Sequence, residues 1–431
     1  MAILRNINPL PKLLSNRFIR NLSWLGVSEI IIRVSRLLTT VILARFLSPH
    51  QYGLAAIILT IHDLVNVLTS VGINDKVIQV DQEHLNDICN SAYWLNWLVS
   101  IGISVLQCLL AFPISWFYQD HRLILPICIS AMVYWMVPLA NIQFVLIVRE
   151  NRLKAVAMIN SIQLPLANFL SAFLAFMGMG LWSLIIPRIL ITPLWIYMVH
   201  RNQSWRPNQG FTSQYWSEIL RFGKHILGVS LLKTLRNNLD YLLVGRLIGI
   251  KELGAYYFAF NAGLGISLSV MNALSAALLP HLCALREDWA KFKQSYFSSL
   301  KIIAYVMIPL VILQSSLSPF YVPVIFGHQW IEAIPVLILI CLSAIPRPFA
   351  DAASNLLVSI DKPQLVLRWD LLFTCVFVGS LLIGVRWQAI GVATAVLIVH
   401  AIALPLFTLW ATRYVFDKSR IISMEPDMSL K

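Results

Sequence analysis

Long apolar runs recur along the whole of this chain and decide what it can fold into. Each run is about 20 residues long, the length a helix needs to cross a ~30 Å hydrocarbon layer. The 431 residues are 58% hydrophobic and only 12% charged, whereas soluble domains carry roughly 25% charged residues. A membrane barrel would instead show short alternating segments. The pattern therefore predicts an all-α integral membrane protein.

We predict about twelve membrane-spanning helices. They cover residues 23–47, 52–73, 90–114, 123–144, 155–177, 179–200, 224–248, 253–279, 301–321, 329–347, 366–385 and 389–412. The connections between them are short, so no segment outside the membrane could form a domain of its own. The first run follows a basic leader and is too long and too charged for a signal-peptide core, so we expect it to remain as a span.

The net charge is +13. The placement of the Lys and Arg residues indicates membrane topology rather than nucleic-acid binding. Lys and Arg collect in the connections on one predicted side, and only Arg122, Lys251 and Arg386 fall on the other. The bias predicts that both termini are cytoplasmic. The six cysteines are scattered singly with no metal-ligand spacing. We therefore expect no metal and no cofactor.

The predicted inner segment 284–301 has apolar residues at helical spacing with charged residues between them. We expect it to form an amphipathic helix along the inner leaflet. The alternative is a short solvated helix in a loop.

Two of the predicted spans carry charged stripes. In the seventh span the spacing 0, 3, 4 and 7 places four polar side chains on one helical face: Lys233, Arg236, Asn237 and Asp240. In the first span the spacing is 0, 4, 7 and 11, again one face: Glu29, Arg33, Arg36 and Thr40. Charges at the centre of a span each cost at least ~2.5–3.5 kcal/mol, so they normally face protein or a wet cavity.

The first and seventh spans also resemble each other. The segment Gly26-Val27-Ser28 aligns with Gly228-Val229-Ser230, and after one gap further matches follow: Arg45 with Arg246, and Gly53 with Gly254. The two copies are six spans apart, an even number, so both halves have the same orientation. This predicts two six-helix lobes, residues 1–205 and 206–431, related by an axis along the membrane normal with the substrate between them.

The two stripes have a functional and a structural interpretation. Glu29 with Arg33, and Arg236 with Asp240, could neutralise each other as i,i+4 pairs. Arg36 and Lys233 have no such partner, so we favour a shared cationic cavity. For Arg45 and Arg246, at the span ends, a structural role is expected.

A second polar feature is the adjacent pair His62 and Asp63 in the second span. It could relay protons, or it could be a hydrogen-bonded contact between helices. Arg188 and His400 are expected to be interior polar contacts.

Several segments resemble the polysaccharide-unit flippases of the multidrug/oligosaccharidyl-lipid/polysaccharide exporter superfamily. The turn after the first span, FLSPHQYGLAAI, is similar to theirs, although His50-Gln51 replaces residues that are often acidic there. Further similar segments are SVGINDKVIQV from Ser70, the Gly178–Trp182 stretch, RNNLDYLLVGRLIGIKELGAYYFA from Arg236, and LLPHLCALREDWAKFKQSY from Leu278. They cover both halves of the chain.

The resemblance implies a V-shaped exporter in a bacterial cytoplasmic membrane that alternates between inward- and outward-open states. Its substrate would be an oligosaccharide linked by pyrophosphate to undecaprenol, and its partners the surrounding lipids and a polysaccharide polymerase. Cations in the two stripes would bind the pyrophosphate, while Asn237, Ser28 and Ser230 would contact sugars. Glu29, Asp240 and the His62–Asp63 pair would be ion-pairing or coupling groups.

Four other functions compete with this one. A multidrug exporter on the same fold would need acidic coupling residues, whereas these stripes are net basic. The peptidoglycan-precursor flippases resemble a chain with two more spans. A membrane-embedded polymerase or ligase would need a sizeable catalytic segment outside the membrane. A non-transporting scaffold would leave the stripes unexplained.

Overall fold

The computed structural model describes residues 16–69, 72–208, 210–286 and 288–417, and within these ranges the regular structure is helical. The helices in the first half of the chain are α1 Asn16–Phe46, α2 Pro49–Asn66, α3 Ile73–Gln79, α4 Leu85–Tyr118, α5 Ile124–Ser130, α6 Val133–Met136, α7 Asn141–Arg149, α8 Leu153–Phe176 and α9 Trp182–Asn202. Those that follow are α10 Trp216–Leu247, α11 Ile250–Ala284, α12 Trp289–Tyr321, α13 Ile334–Ser343, α14 Arg347–Ser359, α15 Pro363–Gly384 and α16 Gln388–Phe416.

Each of the twelve predicted spans corresponds to one long helix or to a run of shorter ones. The fourth span is broken into α5, α6 and α7, and the tenth is broken between α13 and α14. Eight stretches in the described ranges are long and apolar enough to cross a membrane, the last of them holding both α15 and α16. The predicted all-α membrane fold is confirmed.

Two of the membrane-length helices outside those stretches are set apart by their charge. Every run of eighteen residues within α1, and every such run within α10, contains at least three Asp, Glu, Lys or Arg residues. These are the helices that carry the two stripes. Their charged residues, rather than a lack of length, separate them from the other spans.

The chain forms two compact units. The first contains residues up to Leu47 and Ile57–Asn238, and the second contains Ser48–Ala56 and the chain from Leu239 onward. The first turns of α2 therefore belong to the second unit, and α10 contributes residues to both. The predicted lobe boundary at residue 205 stays a prediction.

The prediction of a separate amphipathic helix over 284–301 is wrong. Most of that segment is the beginning of α12, which runs without a break into the ninth span. Asp288 caps this helix by accepting a hydrogen bond from the Lys291 backbone N–H, and hydrogen bonds from Lys291 lower the pKa of the Asp288 carboxyl.

The apolar face of this segment packs against protein. Phe292 and Tyr296 are fully buried, and both rings lie about 6 Å from the ring of Phe416 in α16, at 6.1 and 5.8 Å between centroids. The apolar periodicity that predicted contact with a lipid surface thus provides a contact between α12 and α16.

We predict that Phe292→Ala lowers the unfolding free energy by about 3–5 kcal/mol, because a buried aromatic ring is replaced by a cavity. The measurement is the thermal unfolding midpoint of the purified protein in detergent. Phe297→Ala is the matched control, since Phe297 also lies against Phe416, at 5.8 Å, but is 39% exposed. Equal losses in the two variants would contradict this account.

Candidate functional site

Helix α1 has a buried face built from small hydroxyl residues. Ser28 donates a hydrogen bond to the Ala157 carbonyl of α8 at 3.0 Å. Further along, Thr39 donates to the Asn168 carbonyl at 3.0 Å, and the Asn168 side chain donates to Ser35 at 2.9 Å. Small polar residues at such contacts bring membrane helices close together and pair their polar groups. The structure therefore places Ser28 in a helix contact.

The charged stripe of α1 lies beside this buried face and is accessible. Arg33 Nε lies 2.8 Å from Glu29 Oε1, with the side chains 32% and 55% exposed. Arg36 is exposed, and in the described part of the chain it makes no ion pair. Thr40 donates its hydroxyl to the Arg36 carbonyl. The i,i+4 pair predicted for Glu29 and Arg33 is therefore present, and Arg36 extends the positive charge beyond it.

The remaining surface of α1 is apolar and exposed, with Val27, Ile30, Val34 and Leu37 as members. A spanning helix that buries one side, carries charge on a second and exposes aliphatic side chains on a third has a natural lipid-facing side. The charged stripe is separate from it.

The stripe of α10 is accessible at its beginning and buried at its end. Lys233 and Asn237 are exposed, and Arg236 and Ser230 are half-buried. Within the described residues Lys233 makes no ion pair. Next to the stripe, Thr60 of α2 donates a 3.3 Å hydrogen bond to Asn238. The accessible part of this stripe thus holds two cationic side chains and an amide.

The last member of the stripe, Asp240, is buried rather than accessible. Only 5% of the residue is exposed. The Tyr256 hydroxyl donates to its Oδ2 at 2.9 Å, and the Tyr241 backbone N–H donates to its Oδ1 at 3.0 Å. Its carboxylate therefore has partners of its own, and it lies in the second unit, whereas Arg236 lies in the first.

A further cation, Arg347, belongs to this neighbourhood and escaped the sequence analysis. It begins α14 after the break in the tenth span and lies within electrostatic range of Asp240. Its Cζ is 5.8 Å from the centroid of the Phe260 ring, and its Nε has no hydrogen-bond partner among the described residues. An Arg next to two prolines reads as a helix end, so no periodic pattern marked it.

We predict that Tyr256→Phe destabilises the protein by about 1–3 kcal/mol, because it leaves a buried carboxylate oxygen without its donor. The measurement is denaturation in detergent followed by intrinsic fluorescence. Tyr241→Phe is the control, since Tyr241 reaches Asp240 only through its backbone N–H. If both variants lose the same stability, the hydroxyl bond is not what stabilises Asp240.

The His62–Asp63 pair of α2 is split between two environments. His62 is half-buried and its ring stacks on Tyr134, with centroids 5.2 Å apart. The Tyr134 hydroxyl lies 3.3 Å from His62 Nδ1. Asp63 is exposed, within electrostatic range of Arg188 in α9. Arg188 is exposed as well, whereas His400 is buried between the rings of Phe373 and Phe377.

Asp63→Asn separates the two interpretations of this pair, because the amide keeps the shape but cannot carry a proton. If the pair relays protons, the variant should lose the pH dependence of transport across pH 5 to 8, the range in which His titrates. Asp63→Ala is the companion variant for packing effects. A transport rate and pH profile equal to those of the wild type would leave only the helix contact.

The residues predicted to be structural occupy helix ends. Arg45 and Arg246 are exposed in the last turns of α1 and α10. Gly53 and Gly254 are buried in the first turns of α2 and α11, and the backbone of another helix lies against each of them. No cluster of three metal-binding side chains occurs in the ranges that the structure covers.

Solved structures of other proteins share this architecture. The lipid II flippase MurJ in an inward closed conformation superposes with a TM-score of 0.75 at 14% identity, over 90% of this chain and 87% of that one. A multidrug resistance MATE family transporter of the MOP superfamily, in an inward-facing conformation, gives 0.72 at 14% identity, over 89% and 94%. At such identities the likeness shows the fold: that of multi-pass membrane transporters.

The sequence comparison is more specific. The polysaccharide biosynthesis protein family matches residues 42–335, well over half of the chain, and this protein belongs to that family. The lipopolysaccharide biosynthesis protein WzxC of Escherichia coli (strain K12) is 24% identical over 401 residues, which covers 90% of this chain and 80% of that protein. The resemblance to polysaccharide-unit flippases is confirmed.

Proposed function

We propose that this protein moves a glycan unit, linked through pyrophosphate to undecaprenol, from the cytoplasmic to the outer leaflet of a bacterial cytoplasmic membrane. The unit would then be used to build a surface polysaccharide. The observation that carries the proposal is the pair of accessible cationic stripes, one on α1 and one on α10, in the two helices of membrane length that are richest in charge.

The chemistry of the stripes favours an anionic head group. Their accessible members are Arg33, Arg36, Lys233 and Arg236 against the single carboxylate of Glu29, a formal excess of three positive charges. Asp240 is buried with its own partners and does not reduce this excess at the accessible surface. Arg binds phosphate oxygens through two parallel charge-assisted hydrogen bonds, and Lys acts as a point charge.

Fewer side chains are available to bind the uncharged sugars of the substrate. Asn237 is exposed beside Lys233 and can donate and accept hydrogen bonds with sugar hydroxyls. Ser230 is half-buried on the same helix. Ser28 is bonded to the Ala157 carbonyl, so we leave it out of the sugar contacts. The pyrophosphate, common to many lipid-linked glycans, would therefore dominate binding.

A multidrug-type cation exporter shares the fold and is the main alternative. A cationic drug would be repelled by accessible Arg and Lys, at a cost that grows as the local dielectric constant falls. A membrane-embedded polymerase or ligase is less favoured. In the described part of the chain the longest connection between helices runs only from residue 203 to residue 215.

We predict that Arg36→Ala and Lys233→Ala each weaken binding of the lipid-linked pyrophosphate by about 10- to 100-fold, since a hydrogen bond to a charged group contributes ~1.5–3 kcal/mol. In cells, surface polysaccharide should fall and the lipid-linked unit should accumulate on the cytoplasmic leaflet. Leaflet-specific labelling of the glycan measures that accumulation.

Two further variants make the test specific. Arg36→Lys keeps the charge and loses the fork, so it should retain part of the activity. Arg386→Ala removes an exposed cation outside both stripes and should leave transport unchanged, with expression of all variants confirmed. Normal polysaccharide in both stripe variants would refute the proposed site.

The same proposal assigns the cellular context. The distribution of Lys and Arg favours cytoplasmic termini. Glycosyltransferases would load the unit on the inner face, and a polymerase would consume it on the outer face. A reporter fused to residue 431 and assayed on either side of the membrane tests the orientation.

A further inference from the structure

The first turns of α2 and α11 cross at two glycines with their backbones in contact. A Cβ atom added to Gly53 would lie 1.9 Å from the Ile250 carbonyl oxygen, and one added to Gly254 would lie 1.7 Å from the Pro49 carbonyl oxygen. Real Cβ atoms essentially never approach another atom closer than 3.0 Å. Only glycine fits at either position while the two helices stay in place. Both segments belong to the second unit.

The contact is reciprocal across the internal repeat. Gly53 and Gly254 are equivalent positions, and each touches the carbonyl four residues before the other glycine. An interface in which residue i contacts j and j contacts i is the signature of a two-fold axis. A second pair of equivalent glycines, Gly26 and Gly228, has nothing within 4 Å of an added Cβ. Close approach is therefore specific to the crossing and not a property of repeated glycines in general.

The beginning of α2 is fixed rigidly before it reaches the crossing. The Ser48 backbone N–H donates to the Gln51 side chain at 3.0 Å, and the Gln51 backbone N–H donates to the Ser48 hydroxyl at 3.3 Å. This reciprocal pair is a capping box, and Pro49 occupies the first helical position, which it favours. The sequence SPHQ thus fixes the position at which the helix begins.

Aromatic rings pack beside the crossing and exclude water. The Tyr52 ring meets Trp330 edge-on, at 5.0 Å between centroids, and Trp330 stacks on Phe258 at 4.1 Å. All three residues are buried.

At each of the two glycines, the nearest atom of the facing helix is a backbone carbonyl oxygen. A glycine that lies against a carbonyl contributes a Cα–H···O contact, which is about half as strong as a backbone hydrogen bond. Separating the two helix starts would break these contacts and the packing of the Tyr52 ring on the Phe258 ring of α11, at 6.4 Å between centroids. Bringing them together again requires that neither glycine carries a Cβ atom. A contact of this kind can be tight in one state and open in another.

We propose that the Gly53–Gly254 crossing is a gate on the outer side of the protein, closed in this structure, that must open in every transport cycle. The inference rests on the proposed function and on the predicted orientation, which places the starts of α2 and α11 at the outer face. A lipid-linked glycan that enters from the cytoplasmic side could leave only when these two helix starts separate.

Alanine variants test the closed state. Gly53→Ala and Gly254→Ala should each lower flipping by about tenfold or more, because the added methyl group overlaps a backbone carbonyl and opposes closure. Alanine favours helix formation over glycine, so local helix propensity cannot cause the loss. Gly26→Ala and Gly228→Ala, the equivalent pair in open space, should retain wild-type rates. Wild-type flipping by both crossing variants would overturn the gate.

Cross-linking tests the requirement for opening. His50 and Lys251 directly follow Pro49 and Ile250, which provide the contacting carbonyls. The variant His50→Cys/Lys251→Cys, with the six native cysteines replaced, should be joined by a short reducible bis-thiol reagent. Flipping should stop on cross-linking and return on reduction, while each single-cysteine variant stays active. Full activity of the cross-linked protein, or failure of the pair to cross-link, would overturn the gate.

The flipping activity of the uncross-linked protein distinguishes failure of the gate from failure of the proposed function. If it flips the lipid-linked glycan and cross-linking has no effect, the gate fails and the proposed function stands. If the wild-type protein itself moves no lipid-linked glycan in the same vesicles, the proposed function fails and the gate with it.

Discussion

The cost of charge in a hydrocarbon layer constrains this structure more than any other interaction. Most of the helices are apolar enough to cross a membrane by composition alone, but α1 and α10 hold at least three charged residues in every membrane-length window. Each such charge costs at least ~2.5–3.5 kcal/mol when it faces lipid. Such helices are stable in a membrane only when their charged side chains face protein or water. In α1 the charged stripe is separate from the exposed aliphatic side.

The internal repeat connects that constraint with conformational change. The equivalent helices α1 and α10 each carry a charged stripe, and equivalent glycines at the starts of α2 and α11 touch each other's backbones. The repeated segment thus provides both the pair of polar helix faces and the pair of glycine contacts. In the account proposed here, the polar faces bind the head group and the glycines close the path.

The sequence predicted the fold well because membrane length and apolar composition are local properties. Each predicted span has its helix, and the Glu29–Arg33 pair follows directly from helical spacing. Residues 284–301 were misjudged because an amphipathic face looks the same whether it covers lipid or, as here, packs against Phe416.

The candidate site was only partly predictable. The sequence placed Asp240 on a shared stripe, but the hydroxyl of Tyr256, sixteen residues along the chain, decides its environment. Arg347 was missed because it stands at a helix break, where periodicity carries no information. Ser28 matched the sugar-contact chemistry, yet its partner is a backbone carbonyl 129 residues away. Long-range contacts of this kind are not encoded in spacing.

The central claim is that accessible cations recognise the pyrophosphate of a lipid-linked glycan. It is tested most directly by reconstituting the purified protein in vesicles and measuring how fast a labelled glycan lipid changes leaflet. The account predicts rapid movement of the pyrophosphate-linked lipid and little movement of a lipid with the same glycan and chain but no pyrophosphate. Equal rates for the two lipids would contradict it.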